Sequence, residues 1–158
     1  MKKLLKAALV GTMSAGLLLG VGAPAQASAT YYYNVSTGYS DYLANDGKAQ
    51  AKGSITYHGR YAFTVNAGVR DLCARNGRGD GFGAYADVII RYMNGSQEGY
   101  RVGKDTNGCG TRFEWRKSYH NHGKRIRWVQ LKVHEIDADT NYNKDTGTSR
   151  RIDNPYTG

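Results

Sequence analysis

The sequence predicts an all-β fold: a small two-sheet antiparallel β-sandwich, Ig-like or jelly-roll-like, with an extended N-terminal arm and one disulfide. Three observations predict it. Hydrophobicity alternates with a period of two over several stretches of strand length, turns rich in glycine and asparagine separate those stretches, and no segment shows a capped apolar stripe of helical period.

The chain opens on a leader. Lys2, Lys3 and Lys6 form a positive region, and the run from Leu4 to Val21 is apolar apart from Lys6, Thr12 and Ser14. Ala25-Gln26-Ala27 and Ala27-Ser28-Ala29 both offer the small-x-small pattern that signal peptidase reads. The run approaches the ~18 apolar residues of a membrane span, but its glycines and small-residue site favour cleavage over retention. Residues 1–29 are therefore expected to be a signal peptide, and the mature protein to be secreted and extracellular with no membrane span. Three lysines leave with the leader, so the formal charge falls from +9 to about +6 on about 129 residues, one domain of chain.

An exported chain with two cysteines is expected to oxidise them, because nothing outside the cytosol keeps thiols reduced. A Cys73–Cys109 bond closes a loop of about 37 residues, worth roughly 4 kcal/mol through the entropy it removes from the unfolded chain.

Residues 30–53 read as an extended arm with room for one strand. Tyr31, Tyr32, Tyr33, Tyr39 and Tyr42 are scattered there among Gly, Ser, Ala, Asn and Asp, with little aliphatic area to offset the entropy of ordering. Tyrosine suits a binding surface, since the ring covers apolar area and the hydroxyl finds a partner.

Residues 54–158 are expected to form the sandwich. Ile55, Tyr57, Tyr61, Phe63, Val65 and Val69 alternate with polar residues, giving a half-buried strand pair bent at Gly59. Ala84, Ala86, Val88, Ile90 and Tyr92 form the next alternating run, which ends at Asn94-Gly95; that dipeptide tolerates positive φ and predicts a type I′ hairpin into Gly99–Gly103. Phe113 and Trp115 alternate with Arg112, Glu114 and Arg116, and Asn121-His122-Gly123 is expected to turn this strand into a hairpin partner that faces Val129, Leu131 and Val133 inward. The polar tail is tacked back through Ile152 and Tyr156.

The block from Val69-Arg70-Asp71 through Cys73 and Gly79-Asp80-Gly81-Phe82-Gly83-Ala84-Tyr85-Ala86, together with a Tyr-x-x-Gly hairpin and the ending Asp153-Asn154-Pro155-Tyr156, resembles small secreted β-sandwich proteins of actinobacteria, Streptomyces-like. The resemblance implies fold and source and transfers no catalytic residue. In outline, an arm followed by one β-lobe is also similar to the small connecting subunit of actinobacterial umbrella toxin particles, which joins a lectin subunit to a large toxin subunit. That similarity implies an accessory role in an antibacterial complex.

The richest cluster is basic. Arg112, Arg116, Lys117, Lys124, Arg125, Arg127 and Lys132 lie on two successive strands, with Trp115, Tyr119, His120, His122 and Trp128 interleaved. Such a set can hold a polyanion, cations meeting phosphates or carboxylates while rings stack. The competing reading makes Phe113, Trp115 and Trp128 core and the charges a solvated face. For an exported protein the expected partners are another secreted protein, gripped by strand addition through the arm, or an anionic cell-wall polymer, rather than nucleic acid. A catalytic alternative, a small secreted hydrolase or ribonuclease-like toxin, would draw on Glu114, His120, His122, Arg125 and His134. Asp137, Asp139, Asn141, Asn143 and Asp145 alternate oxygens like the first half of a calcium loop, but Tyr142 stands where such a loop needs glycine and Thr148 where it needs a bidentate Glu. The motifs of serine esterases, zinc peptidases and phosphate-cradling loops are missing. The expectation is a non-enzymatic binding module, an adaptor or accessory subunit, with no cofactor, no metal and no catalytic residue.

Overall fold

The computed structural model describes residues 28–38, 47–74, 77, 81–137 and 139–158. The leader up to residue 27, Tyr39, Tyr42 and the Gly79-Asp80 start of the glycine block lie outside the described residues. Among the described residues nine strands follow one another: β1 (Ala29–Ser36), β2 (Lys48–Tyr57), β3 (Ala62–Leu72), β4 (Phe82–Tyr92), β5 (Gln97–Asp105), β6 (Glu114–Asn121), β7 (Ile126–Asp137), β8 (Asn143–Thr148) and β9 (Ile152–Asp153). They form two antiparallel sheets, one of four strands in the order β1-β2-β3-β6 and one of five in the order β5-β4-β7-β8, with β9 on β7.

The period-two runs do what alternation requires, sending one set of side chains between the sheets. Ile55, Tyr57, Phe63, Val65 and Val69 come from the first sheet, and Ala84, Ala86, Val88, Ile90, Tyr92, Val129, Leu131 and Val133 from the second; all are buried. Each large aliphatic or aromatic side chain buried in this way contributes about 1.5–3 kcal/mol. The Cys73–Cys109 disulfide, with Cα atoms 4.6 Å apart, joins the end of β3 to the connection between β5 and β6 and so ties the two sheets together.

Of residues 30–53, expected to be an arm with room for one strand, the described parts contribute two paired stretches to the first sheet, β1 and the first half of β2. β1 pairs with β2 from Ala29↔Tyr57 to Ser36↔Gln50. Tyrosine does the work of an aliphatic residue here: Tyr33 and Val35 turn inward with Ala49 and Ala51, and the Tyr33 hydroxyl donates to the Asn66 carbonyl at 3.0 Å. Tyr31 packs on the core and Tyr32 points outward.

A second correction concerns β6 and β7, which are not a hairpin. β6 pairs with β3 and β7 with β4, so the connection between them crosses from one sheet to the other. The burial pattern of β6 explains its place, since a strand exposed over most of its length cannot lie inside a sheet and takes an edge. The Asn94-Gly95 hairpin forms, but only Gly95 has positive φ, at 86°; Tyr92 closes it by accepting from Gly95 N–H and donating to Ser96, both at 3.0 Å. This is a type I turn with a glycine bulge rather than type I′.

The tail returns as expected. Ile152 is buried, its carbonyl accepts from the Tyr57 hydroxyl at 2.6 Å, and Tyr156 packs on the core. Asn154, also buried, donates through one amide to the Gly59 carbonyl at 3.0 Å and to the Ile126 carbonyl at 3.1 Å.

Candidate functional site

The outer face of the four-stranded sheet has no layer over it among the described residues. The register sets four outward rows side by side: Tyr32, Ser54, Asn66 and Lys117 lie across one of them, and Lys52, Gly68 and Trp115 across the next. Tyr32, Trp115 and Tyr119 are 78%, 51% and 62% exposed, large values for rings on a sheet rather than on loop tips. The seat of Trp115 is Gly68: a Cβ there would come within 2.8 Å of Cε2 and 2.9 Å of Cδ2 and Cζ2, so the indole lies flat on the backbone with its other face to solvent. The expectation that Trp115 belongs to the core is corrected by this contact. Trp128, by contrast, is buried.

Tyr119 sits four residues along the same edge, about 13 Å away at strand spacing. Its ring lies 5.9 Å from that of His58, which hydrogen-bonds Thr64 at 2.8 Å. Between the rings the face offers the neutral amide of Asn66, while Gln50, one row beyond Trp115, donates to the Asn34 side-chain carbonyl at 2.9 Å and accepts from Arg70 Nε at 2.8 Å. Its register positions include no Asp or Glu, but two of its cations are occupied: Lys52 Nζ and the Arg70 guanidinium lie 4.1 and 4.5 Å from the Phe113 ring centroid.

The expected basic patch is divided. Lys117 and Tyr119 are on the outer face just described, Arg116 points the other way from β6, and Arg112 is exposed before that strand. Lys124 and Arg125 lie in the crossover, while Arg127 and Lys132 belong to β7 in the other sheet. Two successive strands cannot pool their charges once each enters a different sheet.

The histidines are divided as well. His120 and His122 meet at the edge between β5 and β6, where their rings stack 6.1 Å apart and His120 also stacks on Phe63 at 4.9 Å. Glu98 is the hub: it accepts from Tyr100 at 2.6 Å, Tyr92 at 2.8 Å and Lys124 at 2.9 Å. These hydrogen bonds, that from Tyr100 first, hold its carboxyl down at about 2. With the Tyr92 proton directed to Glu98, the phenol oxygen accepts from His122 Nδ1 at 2.9 Å. Burial lowers the pKa of both histidines, helped at His120 by the neighbouring His122 and opposed at His122 by Glu98. A carboxylate held that low is a weak proton acceptor, so the cluster is better suited to clamping an edge than to general-base work. Glu114 lies six residues from His120, about 20 Å along the strand, and His134 pairs with Asp87 at 3.2 Å on the other sheet.

Two carboxylates of the 137–145 loop turn to the backbone, and the Asn143 side-chain carbonyl accepts from the Thr146 hydroxyl at 3.4 Å. Asp137 accepts from Asp139 and Thr140 N–H at 2.8 and 3.0 Å, which lowers its pKa, and Asp145 accepts from Gly38 N–H at 2.8 Å. Among the described residues no group of three His, Cys, Asp or Glu is placed to hold a metal ion.

Comparison of the chain with protein-family models, with curated proteins and with solved structures finds no match.

Proposed function

We propose that this protein is an exported, non-catalytic binding module that holds cell-wall polysaccharide on the outer face of its four-stranded sheet. The observation that carries the reading is the set of exposed rings on one flat face, with Trp115 laid against Gly68. The face of an aromatic ring is negative, and the C–H groups on one side of a sugar ring are weakly positive, so the two stack. The amides beside the rings supply hydrogen bonds to hydroxyls. Export rests on the leader and on the Cys73–Cys109 disulfide, a bond suited to an oxidising compartment.

The test is retention of the oxidised protein on insoluble wall polysaccharide. Trp115→Ala and Tyr119→Ala should each lower retention about tenfold, in the range of a lost stacking contact of about 1.4 kcal/mol. A double variant that is retained like the parent rejects the reading.

One observation favours a second reading, an adaptor that adds a partner protein's strand to its own sheet. β1 is an edge strand, and because Thr37 N–H donates to Ala49, alternation turns the Asn34 N–H away from β2. The gripping element is then the β1 edge rather than a free arm. Asn34→Pro removes an outward donor and should abolish co-purification of a secreted partner from culture supernatant; an unchanged yield excludes the adaptor.

A further inference from the structure

We propose that the outer face of the five-stranded sheet carries a second site, for a polyol phosphate chain. A groove of about 570 Å³ runs there across β4, β7 and the segment leading into β9, with Trp128 in its lining. Arg91, Arg127, Lys132 and Arg151 surround it, and among the described residues Asp153 is the only carboxylate in its lining. The pairing Arg91↔Trp128↔Asp153 sets one row of the groove, and Lys132 lies further along β7. None of the four cations has an ion pair among the described residues, whereas Arg101, Lys124, His122 and His134 all do elsewhere. Four positive groups with no ion-pair partner among the described residues repel one another around one hollow until an anion enters.

Three of the four are arginines, whose planar forks bind two oxygens of a phosphate at once. The choice of polymer follows from the ring. Trp128 is buried and the Arg151 guanidinium covers it at 4.8 Å from the centroid, so no ring is open for a nucleobase to stack on. Gln97 lines the same groove and can bond hydroxyls, as can the side-chain carbonyl of Gln130, whose amide nitrogen donates to the Ser149 carbonyl at 2.6 Å. Spaced phosphates linked by hydroxylated carbons fit these groups; a chain that needs base stacking does not. The inference is independent of the polysaccharide reading, because the two faces share no residue.

The experiment uses the oxidised protein and three probes: a purified glycerol phosphate polymer, a single-stranded oligonucleotide with the same number of phosphates, and inorganic phosphate. The polymer should bind, weaken steeply as salt rises, and bind at least tenfold more weakly to an Arg127→Glu, Arg151→Glu double variant. The milder Arg127→Gln, Arg151→Gln pair, checked for folding by circular dichroism, should show the same order of loss, and Trp115→Ala should show none. Equal binding by parent and charge-reversed protein overturns the proposal. So does tighter binding of the oligonucleotide, or inorganic phosphate competing as well as the polymer at equal phosphate, which would leave an adventitious anion site.

Discussion

On the four-stranded face the rings are free and the cations, Lys117 apart, are occupied: Lys52 and Arg70 cover Phe113 while Trp115, Tyr119 and Tyr32 are open to solvent. On the five-stranded face the reverse holds, since Trp128 is buried beneath Arg151 and the cations around it lack ion pairs among the described residues. Both faces combine aromatic and basic residues, so composition does not separate them. What separates them is which group a neighbour has already used. A tryptophan on glycine keeps a face to offer, and a tryptophan under a guanidinium does not.

The strongest way to break this comparison is to break the link between the sheets. Reducing Cys73–Cys109, or replacing both cysteines by serine, should cost about 4 kcal/mol. The two proposed activities, polysaccharide retention and phosphate-polymer binding, should then melt together in a thermal scan. A polysaccharide face that survives at a temperature where the phosphate face is lost would mean that the sheets are not one cooperative unit.

Asn154→Ala is next in size and should separate the faces. Its amide spans Gly59 in the turn between β2 and β3 and Ile126 at the start of β7, so its loss leaves two buried carbonyls unpaired, about 2 kcal/mol. The tail it fixes includes Arg151 and Asp153. Affinity for the glycerol phosphate polymer should therefore fall while polysaccharide retention holds, as read in parallel binding assays on the folded variant.

Gly68→Ala acts in the opposite direction. The added methyl meets the Trp115 ring at under 3 Å, and the indole must lift off the sheet. Because the ring is half exposed it can move, so the stability cost is about 1 kcal/mol. Polysaccharide retention should drop as far as in Trp115→Ala, with phosphate binding unchanged; full retention would show that the flat seat is irrelevant.

These contrasts mark how far the residues could be read in order along the chain. The inward sets of β3, β4 and β7 were legible because burial on one side enforces a period of two that needs no knowledge of the partner strand. The arm was not, because Tyr33 fills a core position while its hydroxyl reaches the Asn66 carbonyl, a pairing that composition cannot signal. The basic patch is divided for a related reason: nearness in sequence is not nearness in space, because the crossover between β6 and β7 sends the two strands into different sheets. Gly68 gives Trp115 its seat from a different strand, and Arg91, Arg127 and Arg151 converge from three separate segments. Groups of that kind become visible only once the register is known.

The smallest expected effect lies between the two faces, where Glu98, Tyr92, Tyr100 and Lys124 surround His122, and His120 stacks on Phe63. Both histidines have pKa values lowered by burial, so the folded state prefers them neutral. Their contribution is fully present above the ordinary histidine value of 6.5 and is lost as pH falls from there toward the lowered folded value. Glu98, held at about 2 against an ordinary 4.5, keeps its contribution until pH drops below that ordinary value, so the loss near pH 6 belongs to the histidines. The strand they clamp is β6, which carries Trp115 and Tyr119. Polysaccharide retention should decline between pH 6.5 and pH 5 while phosphate binding, on the face that carries neither His120 nor His122, does not. His120→Gln combined with His122→Gln should flatten that decline, and the same pH profile in parent and variant would place the sensitivity elsewhere.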